Sequence, residues 1–152
     1  MRGIVGSALV GLVGAAVLMA VVRLVPLDPA VWHQPVPEVP GEVRGEVAAS
    51  GPVLVSTSRG ALAYWPAGKT APGRLLADVA RFAATQPRTR LLAGSVAEGR
   101  ISWVQRSAFW GFPDVITAET TGAGLRLWSR QRDGRRDFGV NAARLALWLR
   151  AS

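Results

Sequence analysis

Cysteine is absent from the 152-residue sequence, and histidine occurs once, at His33. Without cysteine the chain can form no disulfide, no thiolate metal site and no cysteine nucleophile. A single imidazole excludes a zinc site built on several histidines and argues against a Ser-His-Asp triad. The sequence therefore predicts no metal site and no cofactor.

Charge is missing from the run between Gly3 and Val22, which is rich in Val, Leu, Ala and Gly. About 20 helical residues span the hydrocarbon core of a bilayer, so this run predicts a single-pass transmembrane helix within residues 1–25. A cleaved signal peptide is the alternative interpretation. Because no small-x-small cleavage site follows the apolar run, an uncleaved signal anchor is favoured.

The positive charges that flank this helix are nearly balanced, since Arg2 lies on one side and Arg23 on the other. The positive-inside rule therefore favours neither orientation strongly. The short N-terminal flank offers little polypeptide to translocate, and Arg23 can extend its guanidinium group towards lipid headgroups. We therefore predict a cytoplasmic N-terminus at the inner (plasma) membrane. The rest of the chain is expected on the periplasmic or extracytoplasmic side.

Residues 26–52 have a different composition, with six prolines and several acidic residues. Their apolar residues follow neither the period of a helix nor that of a strand. Prolines at this density favour extended polyproline conformation, so the segment predicts a semi-rigid acidic spacer. At about 3.1 Å per residue its greatest reach is on the order of 80 Å. His33 is expected to lie in this spacer.

Residues 53–152 carry the periodic patterns expected of a globular domain. One helix is predicted from about Thr70 to the stop at Gln86-Pro87, and a second from about Phe138 to Arg150. Short glycine-bearing links between the strand-like segments suit antiparallel neighbours. The predicted fold class is α+β, an antiparallel sheet of about four to six strands with both helices on one face, preceded by the transmembrane helix. The strand-like segments are PVLVSTS, ALAYW, TRLLAGSV, RISWVQRS, DVITAETT and LRLWSRQR.

The segment SRQRDGRRDFGVNAARLALWL resembles the C-terminal signature of a bacterial family, domain of unknown function 1499. The family pattern is similar to Ser-Arg-Ser-Arg-x-Gly-x-x-Asp-x-Gly-x-Asn-x-x-Arg. The residues that match it are Ser129, Arg130, Arg132, Gly134, Asp137, Gly139, Asn141 and Arg144. Gln131 departs from the usual Ser, and the Asn-x-Cys of many members is missing from PVLVSTS. The phrase FPDVITAE also resembles an upstream run in the family. The resemblance covers roughly Val53 to Leu149 and implies no established activity.

The predicted strand from Leu125 to Arg132 separates two sets of side chains, because alternate residues of a strand share a face. One set is Leu125, Leu127 and Ser129, and the other is Arg126, Trp128, Arg130 and Arg132. A row of guanidinium groups around an indole can hold a carboxylate or phosphate bidentately. The favoured alternative is a solvated outer face, with arginine stems covering Trp128 and with Glu119 paired across strands.

A second candidate constellation lies where the last helix begins. Asn141 and Arg144 share one helix face, about one turn from Asp137. These three side chains can form an anion site at a helix N-terminus. They can equally form a network in which Asp137 caps the helix and fixes the preceding charged turn, which is the favoured interpretation.

Three classes of function remain. The favoured one is a non-catalytic, membrane-anchored module of the cell envelope that binds a ligand or partner. Its partners are expected to be the bilayer, through the N-terminal helix, and an unidentified envelope protein or small anionic ligand. The candidate binding residues are Arg130, Arg132, Asp137, Asn141 and Arg144.

The second class is a hydrolase that relies on carboxylates alone. Its nearest candidates are Asp114 and Glu119, whose spacing of five places them on opposite faces of one strand. The third class is anion or nucleic-acid binding, since residues 53–152 hold 14 Arg and one Lys against six acids. These arginines are scattered without a nucleic-acid motif, and together with the predicted anchor this makes nucleic acid an unexpected partner.

Overall fold

The computed structural model describes residues 2–39, 51–122, 124–134 and 136–151, with the side chains of helix residues 2–9 and 151 outside the described part. The helices are α1 (Arg2–Leu24), α2 (Pro29–Trp32), α3 (Pro72–Thr85) and α4 (Val140–Ala151). The strands are β1 (Val53–Thr57), β2 (Gly60–Pro66), β3 (Thr89–Ser95), β4 (Arg100–Arg106), β5 (Pro113–Thr120) and β6 (Gly124–Gln131).

All six strands form one antiparallel sheet in the order β1-β2-β6-β5-β4-β3. Each link from β3 to β6 joins neighbours in the sheet, whereas α3 carries the chain from β2 to the far edge. The last strand, β6, lies between β2 and β5 and therefore closes the sheet. The predicted α+β class and antiparallel sheet are confirmed.

Helices α3 and α4 pack on the same face of the sheet, as the sequence predicted. The apolar spacing of α3 places Leu76 and Val79 in the core, and Pro72 occupies its first turn, where the missing N–H costs nothing. From α4, Trp148 is fully buried and meets the ring of Trp103 edge-on at 5.5 Å. This face therefore contains the main hydrophobic core.

The opposite face of the sheet is covered by residues 25–39, which we call the strap. Leu27 packs with Val104 and Val115, while Val36 and Val39, only 3% and 1% exposed, pack with side chains of β2. The backbone N–H of Val36 also donates to Glu119 Oε2 at 2.7 Å. The prediction of a spacer is therefore wrong for residues 26–39, and residues 40–50 lie outside the described residues. Prolines remove the regular period by which such a segment would be recognised.

His33 belongs to the strap and is held against the sheet. The preceding turn of α2 begins at Asp28, whose carboxylate accepts a hydrogen bond from the N–H of Ala30 at 2.9 Å. His33 Nδ1 then lies 2.9 Å from Ser102 Oγ on β4, and the two are hydrogen-bonded. The histidine consequently helps to attach the strap.

Helix α1 precedes the strap and ends at Leu24. Within the described ranges, none of the helices combines enough length with enough apolar character to cross a membrane. The transmembrane part of the predicted architecture is therefore not supported by the structure.

Candidate functional site

The turn between β6 and α4 places the predicted residue Asp137 in front of the last helix. The backbone adopts positive φ at Phe138 and Gly139, which reverses the chain into α4 at Val140. The Asp137 carboxylate accepts hydrogen bonds from the N–H groups of Gly139 at 3.0 Å and Asn141 at 3.2 Å. The side chain thus satisfies donors that the first turn of a helix leaves without partners.

Replacing Asp137 by alanine is expected to lower the free energy of unfolding by about 0.5–2 kcal/mol, the usual range for loss of a capping side chain. Thermal unfolding of the full chain in a non-ionic detergent measures the effect. Asp133→Ala is the matched control, because Asp133 is exposed and its only ion-pair partner among the described residues is the neighbouring Arg132. Equal losses in the two variants would contradict a capping role for Asp137.

Asn141 and Arg144 enter a network that we call the polar cluster, which lies between α4 and the sheet. Arg144 Nη2 donates to Asp114 Oδ2 at 2.8 Å and its Nη1 donates to Ser129 Oγ at 3.0 Å and to Asn141 Oδ1. Arg144 Nε donates to Gln105 Oε1. The strands β4, β5 and β6 supply Gln105, Asp114 and Ser129, so a single guanidinium group ties α4 to three strands.

Burial controls the electrostatics of this cluster. Desolvation raises the pKa of Asp114 above its ordinary value, and it outweighs the opposing attraction of the Arg144 guanidinium group. The negative charges of Asp137 and Asp133 raise the pKa further. Since each nitrogen of Arg144 already has a protein acceptor, the cluster is arranged to hold α4 on the sheet.

Arg130 lies on the opposite face of the sheet, between two indole rings. Its guanidinium carbon is 3.5 Å from the ring centroid of Trp128 and 5.4 Å from that of Trp32. Its Nη2 donates to the carbonyl oxygen of Trp32 at 2.6 Å, and the residue is only 8% exposed. This burial lowers the pKa of Arg130 to about 10.

The sequence-based faces of β6 are confirmed, but the expectation of a solvated outer face is wrong. Leu125, Leu127 and Ser129 are buried beneath the helices, whereas Trp128 and Arg130 meet the strap. A cavity of about 230 Å³ remains beside Arg130. The predicted binding residues therefore fall on two sides of the sheet, with Arg130 on the strap side and Asp137, Asn141 and Arg144 on the helix side.

Arg132 follows Arg130 at the end of β6 and is partly buried. Its Nε donates to the carboxylate of Asp133 at 2.8 Å, so the pair lies within the charged turn. The Arg132 charge also helps to lower the pKa of Arg106. Arg132 is thus close to the arginines of the strap face. The twofold period of a strand predicts this position, because it places Arg132 on the face opposite Ser129 and Gln131.

The two carboxylates considered for hydrolysis, Asp114 and Glu119, lie on opposite faces of β5, as their spacing predicted. Asp114 is paired with Arg144 beneath α4. Glu119 accepts from Arg100 Nε of the neighbouring strand at 2.8 Å and from the strap N–H of Val36. The expected cross-strand pairing of Glu119 is confirmed, and the two carboxylates do not face a common substrate position.

Sequence reasoning missed a cluster of basic residues around a cavity of about 490 Å³, which we call the arginine pocket. It opens where the end of α1 meets β3, β4 and the loop 107–112. The pairing of β3 with β4 brings Arg90 close to Arg106, and Arg88 directly precedes β3, but nothing local in the sequence predicts that Arg23 joins them. The lining residues are Arg23, Leu27, Arg88, Arg90, Leu92, Val104, Arg106, Ser107, Ala108 and Gly111.

The fold and these contacts define a class of α+β domain in which two helices cover one face of a six-stranded antiparallel sheet and a strap covers the other. The chain belongs to the family described as protein of unknown function (DUF1499), whose family model matches residues 35–151. This match confirms the resemblance seen in the C-terminal segment and extends it into the strap. No curated protein and no solved structure matches the chain.

Proposed function

We propose that the protein is a non-catalytic binding module of the cell envelope, held at the extracytoplasmic face of the plasma membrane by α1. The observation that carries this proposal is the exposure of apolar side chains along the described part of α1. Each is more than half exposed, and the set is Val10, Leu12, Val13, Val17, Leu18, Val21 and Leu24. A continuous apolar surface of this kind is typical of a segment that contacts a membrane or partner.

The sequence on the N-terminal side of Val10 extends this apolar character, because no charged residue occurs between Gly3 and Val22. A charged side chain at the centre of such a run disfavours insertion by about 2.5–3.5 kcal/mol. Arg23 lies just beyond the run, where a guanidinium group can reach lipid headgroups. These features support a location of α1 in the bilayer with the domain at its surface.

A binding role is supported by the use of the domain's charged residues. The carboxylates of Asp114 and Glu119 are engaged with Arg144 and Arg100 and lie on opposite faces of the sheet. The arginine pocket, in contrast, presents cations around an open cavity. The arrangement therefore favours capture of an anionic ligand or partner over acid–base chemistry.

Membrane fractionation with reporter fusions tests the proposal. The full chain is expected in the membrane fraction after an alkaline carbonate wash, and an exported-only phosphatase fused after Ser152 is expected to be active. Val13→Arg with Val17→Arg should release the chain, because two charges then lie in the apolar surface. The matched control adds the same charge at the exposed positions Ser58→Arg and Thr70→Arg and should remain in the membrane fraction.

Recovery of the unaltered chain in the soluble fraction would overturn the membrane proposal. Activity of a cytoplasmic reporter at the same fusion point, with an inactive phosphatase, would instead reverse the proposed orientation.

A further inference from the structure

We infer that the arginine pocket binds the phosphate group of an anionic phospholipid headgroup. This inference deepens the proposed function and rests on it, because it names the ligand class that a membrane-held module would meet. It is carried by cations that have no ion-pair partner among the described residues, by an apolar floor and by a neighbouring loop of exposed aromatic residues.

The cations of the pocket are Arg23, Arg88, Arg90 and Arg106. Among the residues that the structure describes, none of these guanidinium groups forms an ion pair with a carboxylate. Their hydrogen bonds go to neutral carbonyl oxygens, as in Arg106 Nη1, which donates to Val22 and Gly111 at 3.0 Å each. The positive charge around the cavity is therefore not compensated by the described residues.

Neighbouring positive charges act on Arg106. Burial lowers the pKa of Arg106, and the positive charges of Arg132 and Arg90 lower it further. An anion in the cavity would relieve both effects, because it replaces lost hydration and opposes the neighbouring charges. Guanidinium groups suit phosphate in particular, since their planar N–H donors match its oxygens in pairs.

The floor of the pocket is apolar and distinguishes a lipid from a small free ion. Leu27, Leu92 and Val104 lie among the lining residues, and they belong to the small core beneath the strap. A ligand that combines a phosphate with hydrocarbon can contact both the guanidinium groups and this floor. A cavity of about 490 Å³ is large enough for the glycerol phosphate part of a lipid.

The loop 107–112 places exposed aromatic rings beside the same opening. Phe109, Trp110 and Phe112 are 67%, 44% and 38% exposed, and Arg23 Nη2 donates to the carbonyl oxygen of Phe109 at 2.7 Å. The absence of a Cβ at Gly111 allows this approach, because a Cβ there would lie 2.6 Å from Arg23 Cγ. Tryptophan is enriched at the level of lipid headgroups, and exposed phenylalanine is typical of segments that insert into the same interface. They place the pocket at the bilayer surface.

Titration calorimetry on the full chain in a non-ionic detergent tests the inference with three probes. They are short-chain phosphatidylglycerol, phosphatidylcholine with the same acyl chains, and glycerol phosphate without acyl chains. Phosphatidylglycerol is expected to bind tightest. Arg88→Gln with Arg90→Gln should weaken its binding roughly thirtyfold, given the usual contribution of a basic side chain at an anionic surface.

The matched control removes two positive charges from the opposite face of the sheet, through Arg81→Gln on α3 and Arg150→Gln on α4, and should leave phosphatidylglycerol binding unchanged. Arg90→Gln alone provides a second variant, because the side chain of Arg90 makes no hydrogen bond or ion pair with any other described residue, and the substitution keeps the backbone pairing with β4. It should weaken binding about fivefold.

Equal binding of phosphatidylglycerol and phosphatidylcholine would overturn the inference, as would an unaltered affinity in a folded Arg90→Gln variant. Equally tight binding of glycerol phosphate would show that the ligand is a soluble phosphate ester and not a lipid. A chain that fractionates with membranes but shows no preference for phosphatidylglycerol would leave the proposed function standing without this inference. A preference shown by a chain that is soluble in cells would support the pocket and contradict the anchor.

Discussion

Replacing Arg144 by methionine is expected to destabilise the domain by about 3–5 kcal/mol, the usual cost when one partner of a buried ion pair is removed. Arg144 is the only cation that pairs with Asp114 within the described residues, and the two side chains are 11% and 16% exposed. Methionine keeps much of the volume but leaves the carboxylate, Ser129 Oγ and Gln105 Oε1 without a donor. Unfolding of the full chain by urea in detergent measures the loss.

Arg150→Met is the matched control, because Arg150 lies at the exposed end of the same helix. Its stability change should stay within about 0.5 kcal/mol, the usual scale for surface substitutions. The double variant Asp114→Asn with Arg144→Met should recover part of the loss, since no unpaired charge remains buried. A loss as large in Arg150→Met as in Arg144→Met would show that the polar cluster has no special role.

The same pair of residues gives a pH dependence with a defined sign. The folded-state pKa of Asp114 is raised above its ordinary value of 3.8, so the fold favours the protonated carboxyl group. The protonated Asp114 carboxyl group therefore contributes fully to stability below the ordinary pKa of 3.8. This contribution is lost as the pH rises through the raised pKa of the folded state. The Arg144 guanidinium group lowers the pKa of Asp114, so this pKa should be higher still in Arg144→Met. The loss of stability with rising pH should therefore extend to higher pH in that variant. Asp114→Asn should abolish the difference, which melting temperatures across a pH series can show.

Replacing Trp148 by alanine should cost a similar amount, about 3–5 kcal/mol, because it empties a large volume in the core. Trp148 is fully buried and meets Trp103 at 5.5 Å and Phe82 at 6.1 Å, both edge-on. It therefore joins α4, α3 and the sheet through aromatic contacts, which contribute beyond their buried area. Thermal unfolding in detergent should show a large drop in melting temperature.

Leu147 provides the control for this substitution. It is the preceding residue of α4 and is 51% exposed, so Leu147→Ala changes the same helix without opening a cavity in the core. Its effect should be within about 0.5 kcal/mol. Equal losses at the two positions would show that α4 is stabilised by helix propensity and not by packing of its buried face.

Sequence patterns predicted the elements whose periods are strong and local. The alternation in β6 placed Ser129 under the helices and Arg130 on the other face, and the spacing of Asp114 and Glu119 separated the two carboxylates across the sheet. Both predictions depend only on the twofold period of a strand, which tertiary contacts do not alter. The stop at Pro87 likewise fixed the end of α3 to within two residues.

The predictions that failed depend on contacts between distant parts of the chain. Val36 and Val39 lie among prolines without a helical or strand period, yet they are buried because β2 offers an apolar surface opposite them. The same burial encloses Arg130, which an isolated strand would expose. The arginine pocket joins Arg23 to residues of β3 and β4, and no local pattern brings such positions together.

The strap also limits how far the domain can move from α1. Leu27 is buried against the sheet only three residues after α1 ends at Leu24. An extended chain of that length spans about 10 Å, whereas a free spacer over residues 26–52 would reach on the order of 80 Å. The attachment is therefore a short bracket and not a tether. If α1 lies in the bilayer as proposed, this bracket holds the arginine pocket beside the membrane surface and raises the effective concentration at which the pocket meets lipid headgroups.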